Sequence, residues 1–316
     1  MIALTGYDFQ GTPHPLKTFV QLRLEQSLMV PADALTVRVA ASNIPRLSRL
    51  SVICGQTVLF DGQVDEQREV ITAGEHTVTL YARSAAALLL DNEALCGTYN
   101  RPSFADILAQ HAKPYGIDTD QSLSARYGEA FTVSKGESEW SVLERFCRLV
   151  FGRSPRVEQG GRLNIQPLKD GEGKTISNRA QGAVPFLACE RIWKYSGLIS
   201  EIYTPWGQEE GYTSLYRDTQ ALNLGIRRKR YHTLRDYTNV QRSEWARAHF
   251  KERRTGSDAA LLKLAGPPAF ELGERVALLQ ADGMAGLEGA VAELTVECSS
   301  DGLFTFLTIL PEEHIF

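Results

Sequence analysis

The chain has 316 residues, 43% of them hydrophobic and 23% charged, a composition that is neither disordered nor fibrous and a length that calls for two or three domains. Thirty-four Lys and Arg against 38 Asp and Glu leave a net charge of -4, so no global attraction to nucleic acid or to an anionic membrane is expected. The sequence opens without a leader pattern and has no apolar run long enough to span a bilayer, so synthesis in the cytoplasm without a stable membrane anchor is expected.

The first stretch reads as strands. Phe19-Val-Gln-Leu-Arg-Leu-Glu and Leu35-Thr-Val-Arg-Val alternate apolar and polar residues, which gives each one face for a core and one for water. Leu50-Ser-Val-Ile-Cys and Val58-Leu-Phe follow, separated by Gly55-Gln56. Asp61-Gly62 then reads as a hairpin pair before a polar strand from Gln63 to Ile71, and after a turn at Ala73-Gly-Glu the alternation resumes from His76. Five to seven short antiparallel strands predict a small β-barrel or sandwich over residues 1–96.

At Ser84-Ala-Ala-Ala-Leu-Leu-Leu-Asp the period of two is lost and a short helix is predicted. Ser103, with Asp106 three residues on, predicts a capped helix through Phe104, Ile107, Leu108 and His111. Ser138 starts another, whose Trp140, Leu143, Cys147 and Val150 share one face and which Gly152 ends. Pro155-Arg-Val-Glu and Arg162-Leu-Asn-Ile-Gln flank Gly160-Gly161 as a hairpin, completing an α+β insert over 97–172. The polar run Lys169-Asp-Gly-Glu-Gly-Lys is the best linker candidate. A second β-barrel domain is predicted over 173–316, with strands at Arg191–Tyr195, Leu198–Tyr203, Ile226–Tyr231, Ala259–Leu264, Gly273–Gln280, Gly289–Cys298 and Gly302–Leu310, and one charged helix at about 242–254.

The chemistry-bearing residue types are scattered. There is no phosphate-cradling glycine motif and no G-x-S-x-G elbow; Ser84 and Ser103 stand where helix starts want a hydroxyl. Cys54, Cys96, Cys147, Cys189 and Cys298 lack any C-x-x-C spacing and read as reduced thiols, Cys147 on a packing face. The acid pairs Glu209-Glu210 and Glu312-Glu313 read as solvated charge rather than a glycosidase dyad. Arg227-Arg-Lys-Arg-Tyr and Arg253-Arg254 are the basic concentrations, fitting a solvated face or a surface that meets an acidic neighbour. Trp193, Tyr195, Tyr203, Trp206, Tyr212 and Tyr216 supply core and interface aromatics. No residue is nominated as catalytic, cofactor-binding or metal-ligating, and no cofactor is expected.

Phe60-Asp-Gly-Gln-Val, then Tyr81-Ala-Arg-Ser-Ala-Ala-Ala-Leu-Leu-Leu-Asp and Ser103-Phe-Ala-Asp-Ile-Leu, resemble the first barrel and following helix of phage contractile-tail baseplate hub proteins. Lys135-Gly-Glu-Ser-Glu-Trp-Ser-Val-Leu-Glu-Arg-Phe-Cys-Arg-Leu-Val-Phe-Gly, leading into Gly161-Arg-Leu-Asn-Ile, is similar to the insert of that family, and Gly273-Glu-Arg-Val to Phe304-Thr-Phe-Leu to its closing strands. The family comprises Mu-like hubs, late-control proteins, pyocin-type tails and the N-terminal part of type VI secretion spike proteins. The departure is the ending at Phe316, without a β-helical spike or a lysozyme module.

The resemblance implies a non-enzymatic homotrimer in the virion tail baseplate, a symmetry adaptor joining a sixfold tail tube to a threefold central spike. Its implied partners are the tail tube or tube-initiator protein, the central spike protein and the baseplate wedge proteins, with no sequence-specific nucleic acid. A receptor- or glycan-binding tail-tip protein and a cell-wall hydrolase are the alternative readings.

Overall fold

A computed structural model describes residues 2–40, 43–166, 168–205, 211–234, 239–280 and 284–315, with the side chains of 239–241 excepted. The chain divides into two compact units, residues 1–173, 263–275 and 291–307 in one and 174–262, 276–290 and 308–316 in the other.

In the first unit the strands are β1 (Ile2–Asp8), β2 (Pro13–Pro15), β3 (Phe19–Ser27), β4 (Ala34–Ala40), β5 (Leu47–Cys54), β6 (Thr57–Ile71) and β7 (His76–Ser84). Alternation puts Leu22 and Leu24 of β3, Leu35, Val37 and Val39 of β4, and Val78, Leu80 and Ala82 of β7 into the core. Gly55, with positive φ, makes the turn between β5 and β6. The hairpin expected at Asp61-Gly62 is a correction: β6 runs straight through both residues. Gly62 is needed there for a different reason, since a Cβ would lie 2.2 Å from Arg83 O across the sheet.

The helical insert follows as α1 (Ala87–Asp91), β8 (Gly97–Asn100), α2 (Phe104–His111), β9 (Ala130–Val133), α3 (Glu139–Phe151), β10 (Arg156–Glu158) and β11 (Arg162–Asn164). Ser103 forms the expected capping box with Asp106, and Ser138 caps α3 through the Ser141 N–H. Gly160 and Gly161 both have positive φ, the conformation a two-residue hairpin turn requires. Phe104, Phe131, Phe146, Ile107 and Leu143 fill the insert's core, with Phe131 and Phe146 edge to face at 5.6 Å.

The second unit contains β12 (Lys174–Ile176), β13 (Ala188–Trp193), β14 (Glu201–Thr204), β15 (Ser214–Arg217), α4 (Thr219–Asn223), β16 (Lys229–Tyr231) and α5 (Asn239–Arg254). Strands β15, β14 and β16 make a small sheet whose Ile202 packs with Ala246 and Phe250 of α5. Helix α4 was not expected; Asp218 caps it through the Ala221 N–H and takes the Arg254 guanidinium as well. The chain ends through β17 (Asp258–Ala265), β18 (Arg275–Leu278), β19 (Leu287–Ser299) and β20 (Gly302–Leu310). Ser300 and Asp301 turn β19 into β20.

The strand order is the main finding. The first set runs β3-β4-β7-β6-β5-β1, and the second runs β13-β17-β20-β19-β18-β12, the same order when the strands of each set are ranked by their position in the chain. Side-chain detail repeats too. A Cβ on Gly289 of β19 would lie 2.1 Å from Leu310 O, and Gly289 precedes Leu310 by as many residues as Gly62 precedes Arg83. Asp33-Ala34 introduces β4 as Asp258-Ala259 introduces β17. The fold is thus mainly β with a helix-containing α+β insert, and it carries one sheet topology twice. Two details differ from expectation. The hydrogen-bonded path does not close on itself among the described residues, and β12–β18 and β14–β16 pair in parallel rather than antiparallel. Each parallel pair joins strands linked by a long excursion, which frees the second strand from the hairpin geometry that enforces antiparallel pairing.

Candidate interaction surface

The insert holds a polar cluster that sequence reading missed. His111 Nδ1 lies 2.6 Å from Glu139 Oε2, Tyr115 OH donates to Glu139 Oε1 at 3.1 Å, and Tyr99 OH meets His111 Nε2 at 3.0 Å. His111 ends α2 and Glu139 opens α3, so the cluster ties the two helices together. Burial, with the nearby Glu139 carboxylate, raises the Tyr99 and Tyr115 hydroxyls above the ordinary phenol range. Every ring nitrogen and carboxylate oxygen has a partner, as a structural tie requires. A signal for it existed: His111 stands on the apolar stripe of a capped helix.

A second buried network fastens the hairpin β10–β11 to the first sheet. Asp33 is buried; it accepts from Arg156 Nη2 at 2.5 Å, Gln26 Nε2 at 2.7 Å and Gln159 Nε2 at 2.8 Å. Ser84, expected at a helix start, instead belongs here: its hydroxyl accepts from the Asp33 N–H at 3.0 Å, and α1 has no side-chain cap. The bond to Asp33 satisfies a buried donor, which outweighs a cap on a five-residue helix.

Cys147 is fully buried, and desolvation pushes its thiol far up, the setting of a packing residue. Glu312-Glu313 lies in a short 3-10 turn, while Glu209-Glu210 and Trp206 lie outside the described residues. Among the described residues no group of three or more His, Cys, Asp or Glu is placed to hold a metal ion, and no helix is long and apolar enough to cross a membrane. Arg227, Arg228, Lys229 and Arg230 are exposed along and before β16; Arg228 donates to Tyr195 O at 2.6 Å. Of the aromatics, Tyr216 packs on the core around α5, whereas Trp193, Tyr195 and Tyr212 are exposed.

Among the described residues, two of the large sheet's edges are the outer part of β6 and the strand β13. Beyond Gln63, β6 has lost β5 as a neighbour, and among the described residues Glu66–Ile71 pairs with β7 alone. Ile71 is 71% exposed and Val70 is exposed too. The other edge is β13, which ends the strand order. Its Arg191 side chain is only 4% exposed, reaches Asp258 at 2.7 Å and lies 5.0 Å from the Trp193 ring, while Nε and Nη1 are buried without a hydrogen-bond partner among the described residues. Long exposed strand edges invite another strand.

No family model matches the chain, and no curated protein matches its sequence. Solved structures do match. A tail protein from Neisseria meningitidis MC58 superposes with a TM-score of 0.80 at 16% identity, over 98% of this chain and 96% of that one. A 43 kDa tail protein of prophage MuSo2 from Shewanella oneidensis gives 0.79 at 14% identity, over 100% and 99%. The c3393 protein of E. coli, a type VI secretion component with structural similarity to the T4 tail proteins gp27 and gp5, gives 0.59 at 9% identity, over 95% of this chain and 75% of that one. From end to end, the chain has the fold of these phage-tail and type VI secretion proteins.

Proposed function

We propose that this chain is a structural, non-enzymatic component of a contractile phage tail or tail-like injection particle, and within it the baseplate hub. In this reading it acts as a homotrimer that adapts a sixfold tail tube to a threefold central spike, with wedge proteins around it. Residues 1–96 and 173–316 are then two related β domains, and 97–172 is the α+β domain between them.

The observation that carries the proposal is the strand order that occurs twice in one chain. Three such chains present six comparable sheets around one threefold axis, so one ring meets a sixfold partner on one side and a threefold partner on the other. A closed ring lets both partners bind without an irregular seam. The tail-protein fold over the whole chain supports the placement in a tail. The buried networks about Asp33 and His111 support a scaffold role, since both spend their polar groups on internal ties.

Sedimentation equilibrium of the purified chain, alone and mixed with the spike protein of the same particle, tests this. A trimer, or a monomer that becomes trimeric on adding spike, is expected. A monomer indifferent to the spike at every concentration would contradict the hub assignment.

A further inference from the structure

The small sheet of the second unit, β15-β14-β16, ends on β16, and all three residues of that strand are exposed. Its parallel pairing with β14 sets Glu201 against Lys229, Ile202 against Arg230 and Tyr203 against Tyr231. The Arg228 carbonyl accepts from the Ser200 and Glu201 N–H groups, and the His232 N–H donates to Tyr203 O at 3.0 Å. Alternate residues of a strand send their backbone groups to opposite edges, so those of Lys229 and Tyr231 point away from β14. Among the described residues the one group that meets them is the Arg230 guanidinium, 3.1 Å from Lys229 O.

The same edge is strongly basic. Arg227, Arg228, Lys229 and Arg230 are consecutive and exposed, and among the described residues none of them forms an ion pair. The three guanidinium groups rest on backbone carbonyls instead, Arg227 on Ile226, Arg228 on Tyr195 and Arg230 on Lys229. Glu201, across from Lys229, is taken by Arg217 at 3.4 Å and by Tyr203 OH at 3.2 Å. Beside the cations the Tyr231 ring is stacked on Tyr203 at 5.2 Å and lies edge to face with Tyr212 at 5.1 Å, yet it stays half exposed.

We infer that β16 is a docking edge for an extended acidic segment of another protein. The segment adds to the sheet as a fourth strand, with carboxylates beside Arg227, Lys229 and Arg230 and an aromatic or aliphatic side chain beside Tyr231. Two arguments choose this occupant. Adjacent cations repel a second copy of the same edge, so the charge that guards the strand against self-pairing also selects a partner of opposite sign. A nucleic acid would satisfy the cations, but its backbone has no row of N–H and C=O groups to fill the unused positions at Lys229 and Tyr231, whereas a polypeptide has one. Lys229 and Arg230 lie on opposite faces of the sheet, so the incoming strand needs acids at two adjacent positions. The inference goes beyond the hub reading and concerns a single chain, whatever the number of copies.

The test is fluorescence anisotropy of the whole chain against a labelled, end-blocked decapeptide carrying four consecutive acids followed by a tyrosine. Two probes serve as comparisons: the same peptide N-methylated on the amides of its acidic run, and a thymidine pentanucleotide, which carries the same four charges. The parent peptide is expected to bind, and N-methylation to weaken it about tenfold or more, since main-chain hydrogen bonds supply the affinity of an added strand. The oligonucleotide should bind at least as weakly as the methylated peptide. Lys229→Glu/Arg230→Glu, at exposed positions, should abolish binding without changing the circular dichroism spectrum, and Lys229→Gln/Arg230→Gln should weaken it in the same direction. A methylated peptide or an oligonucleotide that binds as tightly as the parent overturns the strand addition and leaves a general anion surface. No binding of the parent at millimolar concentration, or binding unaffected by either double variant, overturns the inference outright. None of these results touches the oligomeric state, so the hub reading stands or falls separately.

Discussion

Replacing Asp33 by Ala removes the one acid that, among the described residues, the buried Arg156 meets. Arg156 would keep its Ser27 carbonyl contact at 2.5 Å but lose its countercharge, while Gln26 and Gln159 would each lose an acceptor. Breaking a buried ion pair from one side costs about 3–5 kcal/mol, because a charge is left uncompensated away from water. The loss should be read by urea unfolding followed through the near-ultraviolet signal of the insert's aromatic core. Arg156→Met should cost less, since Asp33 keeps its two glutamine donors. The double variant Asp33→Ala/Arg156→Met should recover part of the loss, giving a coupling energy of roughly 2 kcal/mol or more in a double-mutant cycle. A loss below about 1 kcal/mol for Asp33→Ala would refute the reasoning, placing the pair among the weak exposed bridges.

Gly62→Ala and Gly289→Ala should each destabilise the chain, by about 1–3 kcal/mol or more, since each Cβ would meet a backbone carbonyl at 2.2 or 2.1 Å; thermal melts check this, and a neutral Gly62→Ala would remove the packing explanation of the Phe60-Asp-Gly motif. Burial holds His232, His249 and His314 below the ordinary histidine value of 6.5, so the unfolded chain binds protons that the folded chain refuses. Stability should therefore fall as pH drops through about 6.5, and His232→Phe/His249→Phe should flatten the melting temperature between pH 7.5 and 5.5. Cys96 should react quickly with an aromatic disulfide reagent in the native state, and Cys147 only after unfolding, as read by the rate of thiolate release.

Local signals in the sequence carried most of the elements. Ser103 with Asp106, Ser138 with Gly152, and Gly160-Gly161 each fix a helix end or a turn by short-range chemistry, and each stands where expected. The misread glycine is instructive. Asp61-Gly62 has the composition of a hairpin turn, but what Gly62 supplies is room for a carbonyl from β7, a long-range demand invisible in a five-residue window. The duplication was hidden for a related reason. Its first copy is followed by the helical insert, whereas its second is split between β13 and β17 by the segment that holds α5, so the copies do not align as continuous stretches. Between β6 and β19 the shared residues reduce to Gly62, Val64 and Glu66 against Gly289, Val291 and Glu293. The buried ties at Asp33 and His111 join residues far apart in the chain, which no spacing rule reports.

In the proposed function, three chains place six comparable sheets around one axis. Electron cryomicroscopy of the assembled chain, alone or with its spike, views that axis directly. Averages with six lobes of two alternating kinds, threefold when refined without imposed symmetry, are expected. Single chains, or rings of twofold or fourfold symmetry, would contradict it.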